Sequence, residues 1–315
     1  MTRTLDVEST VRAAREGVIR AVARLLTAAE NHSEQLPEIM AAVAAAHSDA
    51  GGGPAEVIGI TGSPGVGKST TTNALIESWR KTGKRVAVLA VDPSSPFSGG
   101  AILGDRVRMQ DHALDTDVYI RSMSSRGHLG GLAATTPQAV RLLEGMGFDV
   151  VVVETVGVGQ AEVEIADLAD TSLVLLAPGM GDGIQAVKAG ILEIADIFVV
   201  NKSDRDGAAS TVRDLRSMMA LVRREAGDWR QPIVQTVAHE GKGIDEVVAE
   251  CAQHHDWLAQ KGELKVRRRE RARAEITALV GSQLRRRYAV DDELAQGVAE
   301  GDLDPYAAAE EVLKR

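Results

Sequence analysis

The chain has 315 residues, 44% hydrophobic and 26% charged, enough for one substantial core with an appendage. A net charge of −9 and an aromatic content of 3% argue against general nucleic-acid binding, which needs basic surface and stacking platforms. The single cysteine, Cys251, excludes an internal disulfide and reads as a buried helix residue; no apolar run approaches the roughly 20 residues of a membrane span, and the start lacks a secretory apolar region, so a cytoplasmic enzyme is expected.

In chain order, residues 1–50 read as a helical extension. Val11, Val18, Val22, Leu25 and Leu26 fall at helical spacing, and a second helical stretch runs from Leu36 to His47. The breaker cluster Gly51-Gly52-Gly53-Pro54 opens a central domain, residues 51–254. Its first apolar run, Val57 to Ile60, leads into Gly62-Ser63-Pro64-Gly65-Val66-Gly67-Lys68-Ser69-Thr70, an unbroken G-x-x-x-x-G-K-[S/T] pattern followed by a helical segment. Backbone N–H groups of such a loop converge on phosphate oxygens, Gly65 and Gly67 admit close approach, and the helix adds its positive end. Lys68 is expected to reach the β- and γ-phosphates and Ser69 to ligate Mg²⁺.

Further β-like runs follow at Val86 to Val91, Val118 to Ser122, Val150 to Glu154, Leu173 to Ala177, Ile197 to Val200 and Ile233 to Thr236. Their near-continuous apolar character predicts a mostly parallel sheet with helices on both faces. Asp92 ends the second run and opens a long loop closing at Asp105. Both carboxylates are candidate Mg²⁺ ligands or their supports; the plainer readings are a turn residue before Pro93 and a helix cap. Glu154 opens Glu154-Thr155-Val156-Gly157, where GTPases carry Asp-x-x-Gly, so Glu154 is a candidate metal and catalytic carboxylate and the Gly157 N–H a γ-phosphate sensor. The water-orienting glutamine that follows this motif in Ras-like proteins is replaced by Val158, which predicts slow unaided turnover. Gln160, a residue of the loop near Asp182 or a partner is the candidate substitute, as is the loop histidine His128, whose plainer reading is a solvated side chain.

At the end of the sixth run lies Asn201-Lys202-Ser203-Asp204. A carboxylate at Asp204 accepts from both N1–H and the exocyclic amine of guanine, a donor pair adenine lacks, so GTP is favoured over ATP by about 3 kcal/mol. Strands stop near His255, and residues 255–315 read as a helical arm. Arg267, Arg268, Arg269, Arg271 and Arg273 precede Ile276, Leu279, Val280 and Leu284 at helical spacing, with Arg285 to Arg287 behind them. The arginines fit a solvated face, whereas the apolar stripe needs a partner, most simply a second copy of the chain.

Taken together, GSPGVGKST, VDPSSPFSGGAILGDRVRM, ETVGVGQAE and NKSD resemble the MeaB/ArgK family, the GTPases associated with methylmalonyl-CoA mutase that include the methylmalonic aciduria type A protein of animals. The resemblance spans nearly the whole chain. It implies the P-loop NTPase fold of the SIMIBI class, Mg²⁺-dependent hydrolysis of GTP to GDP, a homodimer formed through the C-terminal arm, and a chaperone role for adenosylcobalamin-dependent methylmalonyl-CoA mutase or a related acyl-CoA mutase: gating cofactor loading, protecting the mutase and reactivating it. No nucleic acid or membrane partner is implied. The resemblance also makes Ala177 to Lys188 a partner-responsive switch with Asp182, Gln185 and Lys188 as its polar residues, Gln185 and Lys188 being candidate catalytic groups; a Gly-rich turn leading into a helix is the plainer reading. Thr236-Val237-Ala238 matches the motif whose backbone N–H contacts guanine O6, with Val237, Ala238 and His239 as the candidate contacts. Three other readings remain: an ATPase or kinase serving arginine and ornithine transport, against which Asp204 speaks; a nickel-type metallochaperone, which needs Cys or His ligands near the phosphate loop where none stand; and a nucleotide-gated scaffold without significant turnover.

Overall fold

A computed structural model describes residues 5–49, 51, 53–92, 112, 114–124, 135–155, 161–179, 191–221, 225 and 227–314. They divide into two compact units, 1–265 and 266–315.

The first unit holds one sheet of seven parallel strands among the described residues: β1 (Glu56–Thr61), β2 (Val86–Asp92), β3 (Val118–Ser124), β4 (Val150–Thr155), β5 (Thr171–Leu176), β6 (Ile197–Val200) and β7 (Ile233–Gln235), in the order β3-β2-β4-β1-β5-β6-β7. All seven predicted runs are strands, and the P-loop-type α/β class is the one observed. The helices of this unit are α1 (Val7–Arg15), α2 (Ile19–Glu30), α3 (Leu36–Asp49), α4 (Lys68–Lys81), α5 (Thr136–Gly145), α6 (Ala161–Leu168), α7 (Ile191–Ile194), α8 (Ala208–Met219) and α9 (Ile244–Lys261).

Period-2 alternation sorts the strand side chains onto two covered faces. Ile58, Ile60, Val86, Val88, Val150, Val152, Leu173 and Leu175 pack with Leu75, Ile76 and Trp79 of α4 and Val247 and Cys251 of α9. On the other face, Val57, Leu89, Val151 and Val153 pack with α1–α3, α5 and α6, while Val174, Leu176, Phe198 and Val200 meet α8. The N-terminal extension is therefore part of the main core. Arg121 of β3 pins it further: its guanidinium donates to Glu30 and to Thr27 Oγ1 of α2.

Two expectations are corrected. The first helical stretch is two helices, because Gly17 takes φ +87 and turns the chain; Val18 precedes α2 outside the buried stripe and is 46% exposed. The boundary of the C-terminal segment also moves, since α9 runs to Lys261 with Leu258 fully buried, keeping residues 255–265 in the first unit. Cys251 is buried as expected, and burial pushes its thiol pKa well up.

The second unit takes in most of α10 (Glu263–Arg287), with α11 (Asp292–Glu300) and α12 (Pro305–Lys314). Leu294, Ala308 and Val312 form a small core there, with Tyr288, Val298 and Leu303 against it. Along α10, Ile276, Leu279, Val280 and Leu284 are exposed. No helix among the described residues is long and apolar enough to cross a membrane.

Candidate functional site

Open parallel sheets gather their ligand loops at the carboxyl ends of the strands. Here β1, β4, β6 and β7 deliver the 62–69 loop, Glu154, Asn201 and the Thr236–His239 turn to one rim. The loop is shaped by two glycines. Gly62 (φ +143) leaves room for Leu175 O, which would lie 2.3 Å from a Cβ; Gly67 (φ +99) does the same for Asn201 Nδ2, at 2.4 Å. Gly67 is also the N-cap of α4, so the first turn of that helix opens directly from the loop. Lys68 is buried, its Nζ donating to Gly62 O at 2.7 Å and Ser63 O at 3.3 Å.

Asn201 latches three segments together. Its Nδ2 donates to Val66 O in the loop at 2.9 Å, and its Oδ1 accepts from Thr236 Oγ1 at 3.2 Å and from the Ala238 N–H at 3.1 Å. Lys202, at φ +57, adds a bond from Nζ to Gly65 O at 2.6 Å. Asp204 stands exposed on the turn that follows. Lys242 has its pKa raised, first by its hydrogen bond to Glu240 and then by the charges of Glu240 and Asp204. The Val237 N–H donates to Lys242 O at 3.1 Å, and the Ala238 N–H serves Asn201. Both N–H groups are thus engaged within the protein. His239 follows on the exposed rim, 3.6 Å from Glu240. A cleft of about 590 Å³ opens beside α4, lined by Ser69, Thr70, Asn73, Glu77, His239 and Glu240 among others.

Glu154 lies inside the rim. Buried at 4% exposure, it accepts from Ser69 Oγ at 2.8 Å on Oε1 and from Thr72 Oγ1 at 2.9 Å on Oε2. Next along β4, Thr155 Oγ1 donates to Thr61 Oγ1 at 3.0 Å, tying the strand end to the start of the loop. Mg²⁺ prefers hard oxygens and is held by one or two protein groups together with substrate phosphates. The adjacent Ser69 and Glu154 oxygens fit such an ion, and among the described residues no cluster of His, Cys, Asp and Glu offers a self-standing metal site.

The structure therefore brings Gly62 to Thr70, Glu154, Asn201 to Asp204 and Val237 to His239 to one rim. Gly157, Asp105, Gln185 and Lys188 lie outside the described residues, as do Val158, Gln160, His128 and Asp182; the backbone of Asp92 ends β2, and its side chain is not described. Sequence reasoning missed Thr72, whose only signal is its place one turn beyond Ser69.

The family model described as "Methylmalonyl Co-A mutase-associated GTPase MeaB" matches residues 22–293. A protein of Mycobacterium tuberculosis described as a "Probable GTPase" is 38% identical over 98% of this chain and 94% of its own length. The mouse "Methylmalonic aciduria type A homolog, mitochondrial" is 36% identical over 82% of this chain and 64% of its own. Among solved structures, one described as "LAO/AO transport system kinase" superposes with a TM-score of 0.73 and 26% identity, covering 100% of this chain and 98% of the other.

Proposed function

This chain belongs to the MeaB family of GTPases, and we propose on that premise that it is a Mg²⁺-dependent GTP switch that chaperones an adenosylcobalamin-dependent acyl-CoA mutase, methylmalonyl-CoA mutase in the first place. The observation that carries the nucleotide part is the Asn201 latch, which holds the phosphate loop, the NKSD strand end and the Thr236–Ala238 turn in one piece. The partner reading is supported by the family description, which names methylmalonyl-CoA mutase.

In this reading, loop N–H groups from Gly62 to Thr70 bind the phosphates, and Lys68 moves from its loop carbonyls to stabilise charge developing at the β–γ bridge. Ser69 and Glu154 would hold Mg²⁺, with Asp92 and Asp105 as further candidates, and the ion would supply charge neutralisation of the nucleotide phosphates. Asp204 accepts from the guanine N1–H and amine, and Val237, Ala238 or His239 offers the N–H for O6. Gly157 reports the γ-phosphate, while Gln185 and Lys188 are brought to the nucleotide by the partner and replace the glutamine absent at Val158. The exposed apolar stripe of α10 supports a homodimer through the arm, and the setting is cytoplasmic.

A second reading, a transport-linked kinase or ATPase, is favoured only by the description of the structural neighbour. One experiment addresses both: hydrolysis of GTP and of ATP, each with and without the cobalamin-dependent mutase. GTP turnover alone is expected well below about 1 s⁻¹ and at least about tenfold faster with the mutase. Equal use of ATP overturns the guanine assignment, and unstimulated turnover overturns the mutase role.

A further inference from the structure

We propose that Thr72 is a positioning residue for the metal carboxylate, fixing Glu154 so that one of its oxygens is presented beside Ser69. The inference rests on the reading of Ser69 and Glu154 as the Mg²⁺ pair and adds a group that neither the phosphate-loop pattern nor the family description names.

The adjacent threonine provides the contrast. A threonine inside a helix ordinarily turns its hydroxyl back on the carbonyl one turn earlier. Thr71 does this, donating to Gly67 O at 3.0 Å. Thr72 does not; its Oγ1 crosses to β4 and donates to Glu154 Oε2 at 2.9 Å, from a side chain with 0% exposure. Ser69 and Thr72 stand three positions apart on one face of α4, so their hydroxyls grip the two oxygens of one carboxylate. With Oε2 held from the helix interior, rotation of the carboxylate is blocked and Oε1 is kept at the loop side. The strand end is held from its opposite side as well, where Thr155 Oγ1 donates to Thr61 Oγ1. The carboxylate also lies against the first turn of α4, where the helix favours negative charge. An octahedral ion that tolerates little distortion gains most from a ligand already aimed.

The test is a Mg²⁺ titration of the release rate of a fluorescent GDP, on the full chain and on the T72V, T72S, T72A and E154Q variants, with GDP affinity in EDTA and thermal unfolding in parallel. In T72V, which keeps shape and loses the donor, half-saturating Mg²⁺ is expected to rise about tenfold while GDP affinity in EDTA is unchanged; T72S restores the titration. T72A adds no bulk and reads the same quantity if T72V is not recovered folded. If T72V titrates like the parent while E154Q is weakened, or if GDP affinity falls equally with and without Mg²⁺, the positioning role is overturned and the metal reading stands. If E154Q itself titrates like the parent, the metal reading fails and the role of Thr72 with it.

Discussion

At the carboxyl end of the sheet Ser69, Thr72, Glu154 and Asn201 are buried and hydrogen-bonded; at the amino end Thr171, Asp196, Asp170 and His254 are buried as well. The lower cluster is tightly made. His254 Nδ1 lies 2.9 Å from Thr171 Oγ1, its Nε2 lies 3.3 Å from Asp196 Oδ1, Asp196 accepts from the Ser172 N–H, and Asp170 from the Val57 N–H. By residue type alone, a histidine between a carboxylate and a hydroxyl looks more like a catalytic group than anything at the upper end. The surroundings differ. The upper cluster supports a loop held in glycine-only conformations under a helix N-terminus, whereas His254 has no exposure, with Trp229 4.8 Å away and Trp257 stacked at 6.0 Å. Buried polar networks can specify structure without performing chemistry; a site requires in addition a surface a ligand can reach.

Substitution can break that comparison. The largest effect on chemistry is expected from Lys68→Ala, which removes the cation from the loop and should lower GTP hydrolysis by about 10²–10³-fold, as measured under single-turnover conditions, with thermal unfolding little changed. His254→Ala should do the reverse. It strips the partner from Thr171 and Asp196 in a closed interior, which should cost about 2–4 kcal/mol in denaturant unfolding while hydrolysis per folded molecule stays at the parent value. If His254→Ala lowered hydrolysis without loss of stability, the two ends would have to be treated as coupled.

The two ends also differed in how far they could be read from the sequence. The upper site is made of contiguous strings, because a chain that wraps a phosphate must do so with consecutive N–H groups, and its strands were legible because burial on both faces leaves unbroken runs such as Val150 to Val153. The lower cluster joins Thr171, Asp196 and His254 from β5, the turn before β6 and α9, residues that share no local pattern. The same limit hid the details of the upper site. Nothing in Thr70-Thr71-Thr72 tells which hydroxyl turns away from its own helix, and the TVA string does not reveal that the N–H groups of Val237 and Ala238 are already engaged. The break at Gly17 was missed for a different reason: apolar spacing continues across it, while the backbone turns on a positive φ that periodicity does not register.

The smallest effect belongs to Glu56, at the amino end of β1, and it tests whether the lower end carries residual strain. Its carboxylate is 3.7 Å from Lys84 Nζ, and its Oε1 is buried without a hydrogen-bond partner among the described residues. Burial raises its pKa above 4.5 and outweighs the attraction of Lys84 and His255. A carboxyl that holds its proton more tightly when folded favours the folded state at low pH. That contribution is complete below pH 4.5 and is lost as pH rises through the folded value, where the buried group must ionise. Glu56→Gln removes the ionisation while keeping the shape. Its melting temperature should therefore match the parent below pH 4.5 and exceed it by about 1–2 °C at neutral pH. A lower melting temperature for the variant at neutral pH would mean that the ion pair with Lys84 outweighs desolvation, and that the amino end of the sheet uses its buried carboxylate in the charged form.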